Sequence, residues 1–392
     1  MATTLLLNGT VITGSVKLKD CALFIDSDGT IGDVFHMSRL KQKSFPSDSR
    51  EIDVRGAYIT PGLIDTHIHG IGGFGTEDQK VSSILGMSEH LADHGVTGFF
   101  PTIYTDTKEN MIGATKAVAE AIGKEQGAQI LGIHLEGPFI SHEQAGAQNP
   151  AGILPVDIAF FDTLLEAGKG HVACMTVAPE LKGMRELALH AVKKGIVLLA
   201  GHTNAAYENI IEGMQVGILH TTHFFNGMRG LHHRNVGTVG AILIEKEMQC
   251  EIIADGVHVN KDLVRLLLRE KSPGNVVLIT DSLKPTEQTE GPYVINGEEA
   301  FIGDDGAFYM QRDPSLMMGS SLTMLRGVKN LVSWEIPIED ALLMGSANPA
   351  RIYALEKVGR LIPGYYANIT VFDPAFNLKG TILKGRIIRD NF

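Results

Sequence analysis

Two histidines one residue apart, in the stretch TPGLIDTHIHG (60–70), are the first residues of this chain with chemistry to offer. Side chains in an extended strand alternate faces, so His67 and His69 point the same way. Two imidazoles on one face can hold a metal ion, or they can be two polar residues at the mouth of a loop. Other donors in the chain tilt the balance: Glu136, His202, His223 and Asp281 each close or follow an apolar, strand-like run. Neutral imidazoles with carboxylates suit one or two divalent ions, zinc or iron first, with manganese and cobalt also fitting and no cysteine needed. Glu136 has oxygens enough to bridge two ions, His67, His69 and Asp281 completing one site and His202 and His223 the other. An ion held this way lowers the pKa of a bound water and polarises a carbonyl. Asp281 is placed to take the water proton and hand it to a leaving group.

These donors must be brought together by the elements that carry them. Eight apolar runs recur, at 57–69, 95–102, 128–137, 171–180, 195–203, 217–225, 249–258 and 275–282. Several are too continuously apolar to have a wet face, as expected of parallel strands covered on both sides. Helix-like segments separate them, for example 81–95, 180–195 and 259–271, with Gly95 and Gly195 where helix C-caps are expected. Eight strand–helix units predict an α/β fold of the TIM-type (β/α)8 barrel class. A doubly wound sheet wants a phosphate fingerprint after its first strand, and no G-x-G-x-x-G opens a helix here. In such a barrel, chemistry gathers at the carboxyl ends of the strands, where all six candidate ligands fall.

The two ends of the chain read differently. Residues 1–56 and 357–392 carry short strands with Asn-Gly and Asp-Gly turn signals, which predicts one small β-sandwich domain assembled from both termini. The barrel then occupies 57–356, with a β-hairpin at 293–310 inserted before a final helix.

Composition narrows the function classes. The 392 residues carry a formal charge of −11, which argues against sequence-independent nucleic-acid binding but not against a small anion in a local basic pocket. Cys21, Cys174 and Cys250 share no metal-ligand spacing and read as reduced, buried thiols of a cytoplasmic protein. No basic n-region or run of 18 apolar residues points to a signal peptide or a membrane.

Longer stretches carry a resemblance. PGLIDTHIHG, GIHLEGPFISHEQAGAQNP (132–150), GHTNA (201–205), THFFNGMRGLHHR (222–234), IADGVHV (253–259), LITDS (278–282) and GSSLTM (319–324) resemble the amidohydrolase superfamily essentially end to end. Within it the chain is similar to the N-acetylglucosamine-6-phosphate deacetylase family. Dihydroorotase- and hydantoinase-like members carry a lysine at the end of strand four; here that strand ends TVAPE, and Glu136 stands in its place. The resemblance implies that Glu136, His202 and His223 bind the ion common to the family, His67 and His69 a second, and that Asp281 is the catalytic acid/base. It implies sugar contacts from Ala147, Gln148, Asn226, Gly227, Met317, Met318 and Gly319, and a phosphate pair of Arg234 and His258. Arg234 would reach in from the neighbouring subunit of a homodimer. The expected reaction is hydrolysis of the acetamide of N-acetylglucosamine 6-phosphate, with the galacto epimer or another N-acyl or cyclic amide as alternatives. A barrel that has lost catalysis and serves only in assembly would show broken ligands, and all six are present. Two positions depart from the pattern: Gln148 stands where many relatives have histidine, and Asn226-Gly227-Met228 where NAM is common. His134, one strand period before Glu136, packs behind the ligands or fills the barrel interior.

Overall fold

The structure, a computed structural model, describes residues 2–288, 291 and 293–392. Among these residues the expected barrel is present: strands Leu63–Ile68, Val96–Ile103, Ile133–Glu136, Val172–Val177, Val197–Ala200, Ile218–Thr221, Gln249–Ile253 and Val276–Ile279 pair in parallel in that order. We number them strands one to eight. Strand two is buried along its whole length, as a strand sealed between barrel interior and helices must be. The outer helices bury one stripe each. In Lys261–Lys271, Val264, Leu267, Leu268 and Lys271 are the buried residues, at the spacing of one helical face.

The apolar run at 57–69 is two strands. Tyr58–Pro61 pairs antiparallel with Ile369–Phe372 in an eight-stranded mixed sheet built from both termini, and Leu63–Ile68 enters the barrel. The break falls at Gly62, where a Cβ would lie 2.1 Å from Thr97 Oγ1, so only glycine lets the chain pass this close to strand two. The terminal sheet has its own core, including Leu6, Leu23, Ile59, Ile369 and Ile382. The predicted insertion is a four-stranded antiparallel sheet, Tyr293–Ile295, Glu298–Ile302, Phe308–Met310 and Asp313–Gly319, between strand eight and helix Met324–Ser333. No helix among the described residues is long and apolar enough to cross a membrane.

Strands one and eight meet mostly beyond their ends. Asp281 N donates to His67 O at 2.9 Å, and His69 N donates to Ser282 O at 2.9 Å. Below that rung the buried Asp65 carboxylate does the joining, accepting from Thr280 Oγ1 (2.6 Å) and Thr280 N (3.3 Å). Burial lifts this carboxyl to about 7 against the pull of the Thr280 hydrogen bonds. Asp65→Ala would strand two buried donors and is expected to cost about 1–3 kcal/mol each. Asp65→Asn should retain most of that stability. Thermal melting decides: equal melting temperatures for Asp65→Ala and the parent would contradict this closure.

Candidate metal centre

Each candidate ligand sits at the carboxyl end of its strand. His67 lies in strand one with His69 just past it, and Glu136 ends strand three. His202, His223 and Asp281 come two residues after strands five, six and eight, with φ of 45°, 23° and 51°. Left-handed backbone at non-glycine residues costs on the order of 1–3 kcal/mol each and clusters at functional sites. Here it turns three ligands back over the barrel mouth. All six are buried, Asp281 the most open at 9%.

The donor atoms form two groups, His67–His69–Asp281 and Glu136–His202–His223, joined by one carboxylate. Glu136 Oε1 lies 3.2 Å from His202 Nε2 and 3.0 Å from His223 Nε2, and those two nitrogens are 3.1 Å apart. Glu136 Oε2 lies 3.1 Å from His69 Nε2. Asp281 Oδ1 lies 3.4 Å from His69 Nε2 and 3.5 Å from His67 Nε2. Donors bound tetrahedrally to one ion at about 2.0–2.2 Å stand on the order of 3.3–3.6 Å apart. The cluster is close to that spacing.

The imidazoles are also oriented for coordination. His69 Nδ1 donates to Thr102 O (3.1 Å) and His202 Nδ1 donates to Gln144 O (2.8 Å), so each ring turns Nε2 to the cluster and, once neutral, offers its lone pair there. His67 Nε2 is buried with no hydrogen-bond partner. An orphaned nitrogen beside two carboxylates is the donor set an ion would use. The residues fit divalent metal.

Electrostatics agree. Burial would push Glu136 up, but the imidazoles of His67, His202, His223 and His69 outweigh it and hold the carboxyl well below its usual range. Asp281 is likewise held low against burial by His67 and His69. Burial alone would lower His69, yet Asp281 and Glu136 raise it to about 9.

Above the ligands is a cavity of about 190 Å3, lined also by Ala147, Gln148, Asn226, Gly227, His258 and Met317–Gly319. The structure thus brings together every sequence-predicted site residue except Arg234. That side chain is exposed on a loop, its Nη1 2.9 Å from His233 Nε2. Gln148 is pinned at both ends: its amide donates to Glu136 Oε2 (2.5 Å) and its oxygen accepts from Thr105 N (2.9 Å). His258 Nδ1 is 2.6 Å from Asp255 Oδ2, which leaves Nε2 as the ring's other polar atom. Gly227 matters more than its freedom alone suggests: at φ 59°, a Cβ would lie 3.0 Å from His202 Nδ1. His134 belongs to the barrel interior, its ring edge-on to His67 at 4.5 Å and its Nε2 2.9 Å from Thr176 Oγ1.

Several contributors escaped the sequence. Tyr104 stacks on His69 at 3.8 Å and walls the cavity from a larger one of about 420 Å3 that holds none of the six ligands. Its signal was the strand alternation Thr102–Tyr104. Asn296, from the inserted sheet, reaches the same cavity. Thr222 and Glu251 lie behind His67.

Because His69 is held protonated up to about 9, loading the stripped site at neutral pH must expel a proton. Calorimetric titration of chelator-stripped protein with Zn2+, in buffers of different ionisation enthalpy, should show net proton release and affinity rising with pH towards 9. Buffer-independent heats would contradict this arrangement.

Known proteins share both the fold and its length. Residues 58–388 match the model of the Amidohydrolase family. An N-acetylglucosamine-6-phosphate deacetylase of Vibrio furnissii is 31% identical over 97% of this chain and 94% of its own length. An N-acetylgalactosamine-6-phosphate deacetylase of Escherichia coli O157:H7 is 30% identical over 84% of this chain and 87% of its own. Among solved structures, a mutant N-acetyl-D-glucosamine-6-phosphate deacetylase from Mycobacterium smegmatis, in complex with N-acetyl-D-glucosamine-6-phosphate, superposes with a TM-score of 0.90 at 26% identity. The match covers 99% of this chain and 100% of that one. A barrel with six buried donors at its mouth and a family match along most of its length make this chain a member of the amidohydrolase family.

Proposed function

We propose that this amidohydrolase removes the acetyl group of N-acetylglucosamine 6-phosphate, giving glucosamine 6-phosphate and acetate. The observation that carries the proposal is one cavity lined both by the metal-capable cluster and by His258, a ring anchored on Asp255 as an anion-binding residue would be. The relatives named for this substrate support it.

A bound divalent ion would supply a nucleophile at neutral pH and polarise the acetyl carbonyl. His67, His69, Glu136, His202, His223 and Asp281 would hold one or two such ions. Asp281, ionised because the imidazoles beside it outweigh burial, accepts the proton of the attacking water and delivers it to the departing nitrogen. Gln148, its amide held on Glu136 Oε2, lines the same cavity and would contact the acyl end of the substrate. Asn226, Gly227, Ala147 and Met317–Gly319 would enclose the sugar. His258 and an Arg234 from a second subunit would hold the phosphate, whose remote binding energy positions the acetamide. The exposure of Arg234, away from its own cavity, is what supports a partner's role for it.

The galacto epimer is the second reading. Relatives of nearly equal identity carry the two epimers in their names, and Gln148 departs from the common histidine.

Acetate release from N-acetylglucosamine 6-phosphate, its galacto epimer and the unphosphorylated sugar tests the proposal. The highest kcat/KM is expected for the first, with loss on chelation. No release from any of the three would overturn the substrate.

Asp281→Asn should lower kcat by about 10²–10⁴-fold with metal content kept, and near-normal kcat would contradict the proton role. Arg234→Ala should weaken kcat/KM roughly 10- to 100-fold for the phosphorylated sugar only. Mixed dimers of Arg234→Ala and Asp281→Asn chains should regain kcat/KM above either parent variant, since one composite site is then intact. No gain on mixing would place Arg234 outside the partner's site.

A further inference from the structure

Glu251 is an acid where strand seven has no evident use for one. It sits in QCEII and is 4% exposed. A buried carboxylate is tolerated only with partners. Its oxygens accept from Thr66 Oγ1 (3.0 Å) and Thr222 Oγ1 (3.0 Å), and Oε2 lies 3.4 Å from His67 Nδ1. Among the described residues, His67 is its only ion-pair partner.

The Thr222 hydroxyl decides the chemistry. It has one proton, and that proton goes to Glu251, so the hydroxyl meets His67 Nδ1, 2.8 Å away, as an acceptor. The Nδ1 must then carry a ring hydrogen. In the neutral ring, the form that binds an ion, that leaves the Nε2 lone pair facing Glu136 and Asp281, each 3.5 Å away. With no carboxylate behind it, Thr222 is free to donate to Nδ1 instead. The hydrogen would then sit on Nε2 and block coordination. His134, edge-on to the His67 ring, restrains its rotation.

We propose that Glu251 is a positioning residue for the metal centre: through the Thr222 hydroxyl it holds His67 in the Nδ1–H form, leaving Nε2 to bind an ion. This rests on the assignment of His67 as a ligand. It adds a member to the site from a strand that supplies none of the six donors. Glu251 touches neither ion nor substrate and acts only through His67.

The test is competitive Zn2+ titration of the chelator-stripped full chain against a chromogenic chelator, for wild type, His67→Ala, Glu251→Leu, Glu251→Gln and Thr222→Val. Melting temperatures of the stripped proteins identify folded variants. His67→Ala should weaken or abolish one ion. Glu251→Leu and Thr222→Val should weaken that same ion by roughly 10- to 100-fold. Glu251→Gln should fall between them and wild type, because its amide oxygen still accepts from Thr222. Should Glu251→Leu not fold, Thr222→Val and Glu251→Gln carry the test. Wild-type affinity in Thr222→Val and in the folded Glu251 variants, with His67→Ala weakened, would overturn the role of Glu251 alone. Wild-type binding by His67→Ala would overturn His67 as a ligand, and the inference with it.

Discussion

The structure turns on one buried carboxylate. Glu136 places one oxygen against His202 and His223 and the other against His69, with the orphaned Nε2 of His67 nearby. An uncompensated charge at this depth would cost several kcal/mol. The cost is met by imidazoles converging from strands one, five and six, and a divalent ion on each side would meet it further. The ring of parallel strands brings residues 67, 136, 202, 223 and 281 to one rim, at the carboxyl ends of the strands.

Support for the cluster is layered through the barrel interior. Thr102 and Gln144 carbonyls fix two imidazoles, and Thr222 with Glu251 faces a third. The Asp65 carboxylate joins the first strand to the eighth just below the rim. The apolar residues lie mainly outside this polar column, between strands and helices. Rigid packing outside and hydrogen bonds inside hold the donors within the narrow tolerance that coordination needs. The left-handed backbone at His202, His223 and Asp281 is strain that this surrounding order maintains.

The six donors were legible in the sequence because each ends or follows a recognisable strand, and strand ends in a parallel barrel share one rim. The eight strands were legible by their apolar runs. The division of 57–69 was not, because its two halves pair with strands distant in sequence, Tyr58–Pro61 with Ile369–Phe372 and Leu63–Ile68 with Val96–Ile103. Glu251 was hidden for a similar reason, lying 184 residues from His67 in sequence and one hydroxyl away in space. Gln148 stands out in the sequence as a departure from its relatives, but its two-ended pinning could be read only from the fold. Arg234 shows the opposite limit. Its side chain is exposed and does not line the cavity of its own chain, although resemblance places it among the site residues.

Whether Glu136 bridges two ions is tested most directly by diffraction from metal-loaded crystals on either side of the ion's absorption edge. Two anomalous peaks about 3.5–4 Å apart, one among His67, His69 and Asp281 and one among His202 and His223, with Glu136 between, are the predicted result. A single peak with His67 and His69 outside the coordination of any ion, or no peak at all, would contradict it.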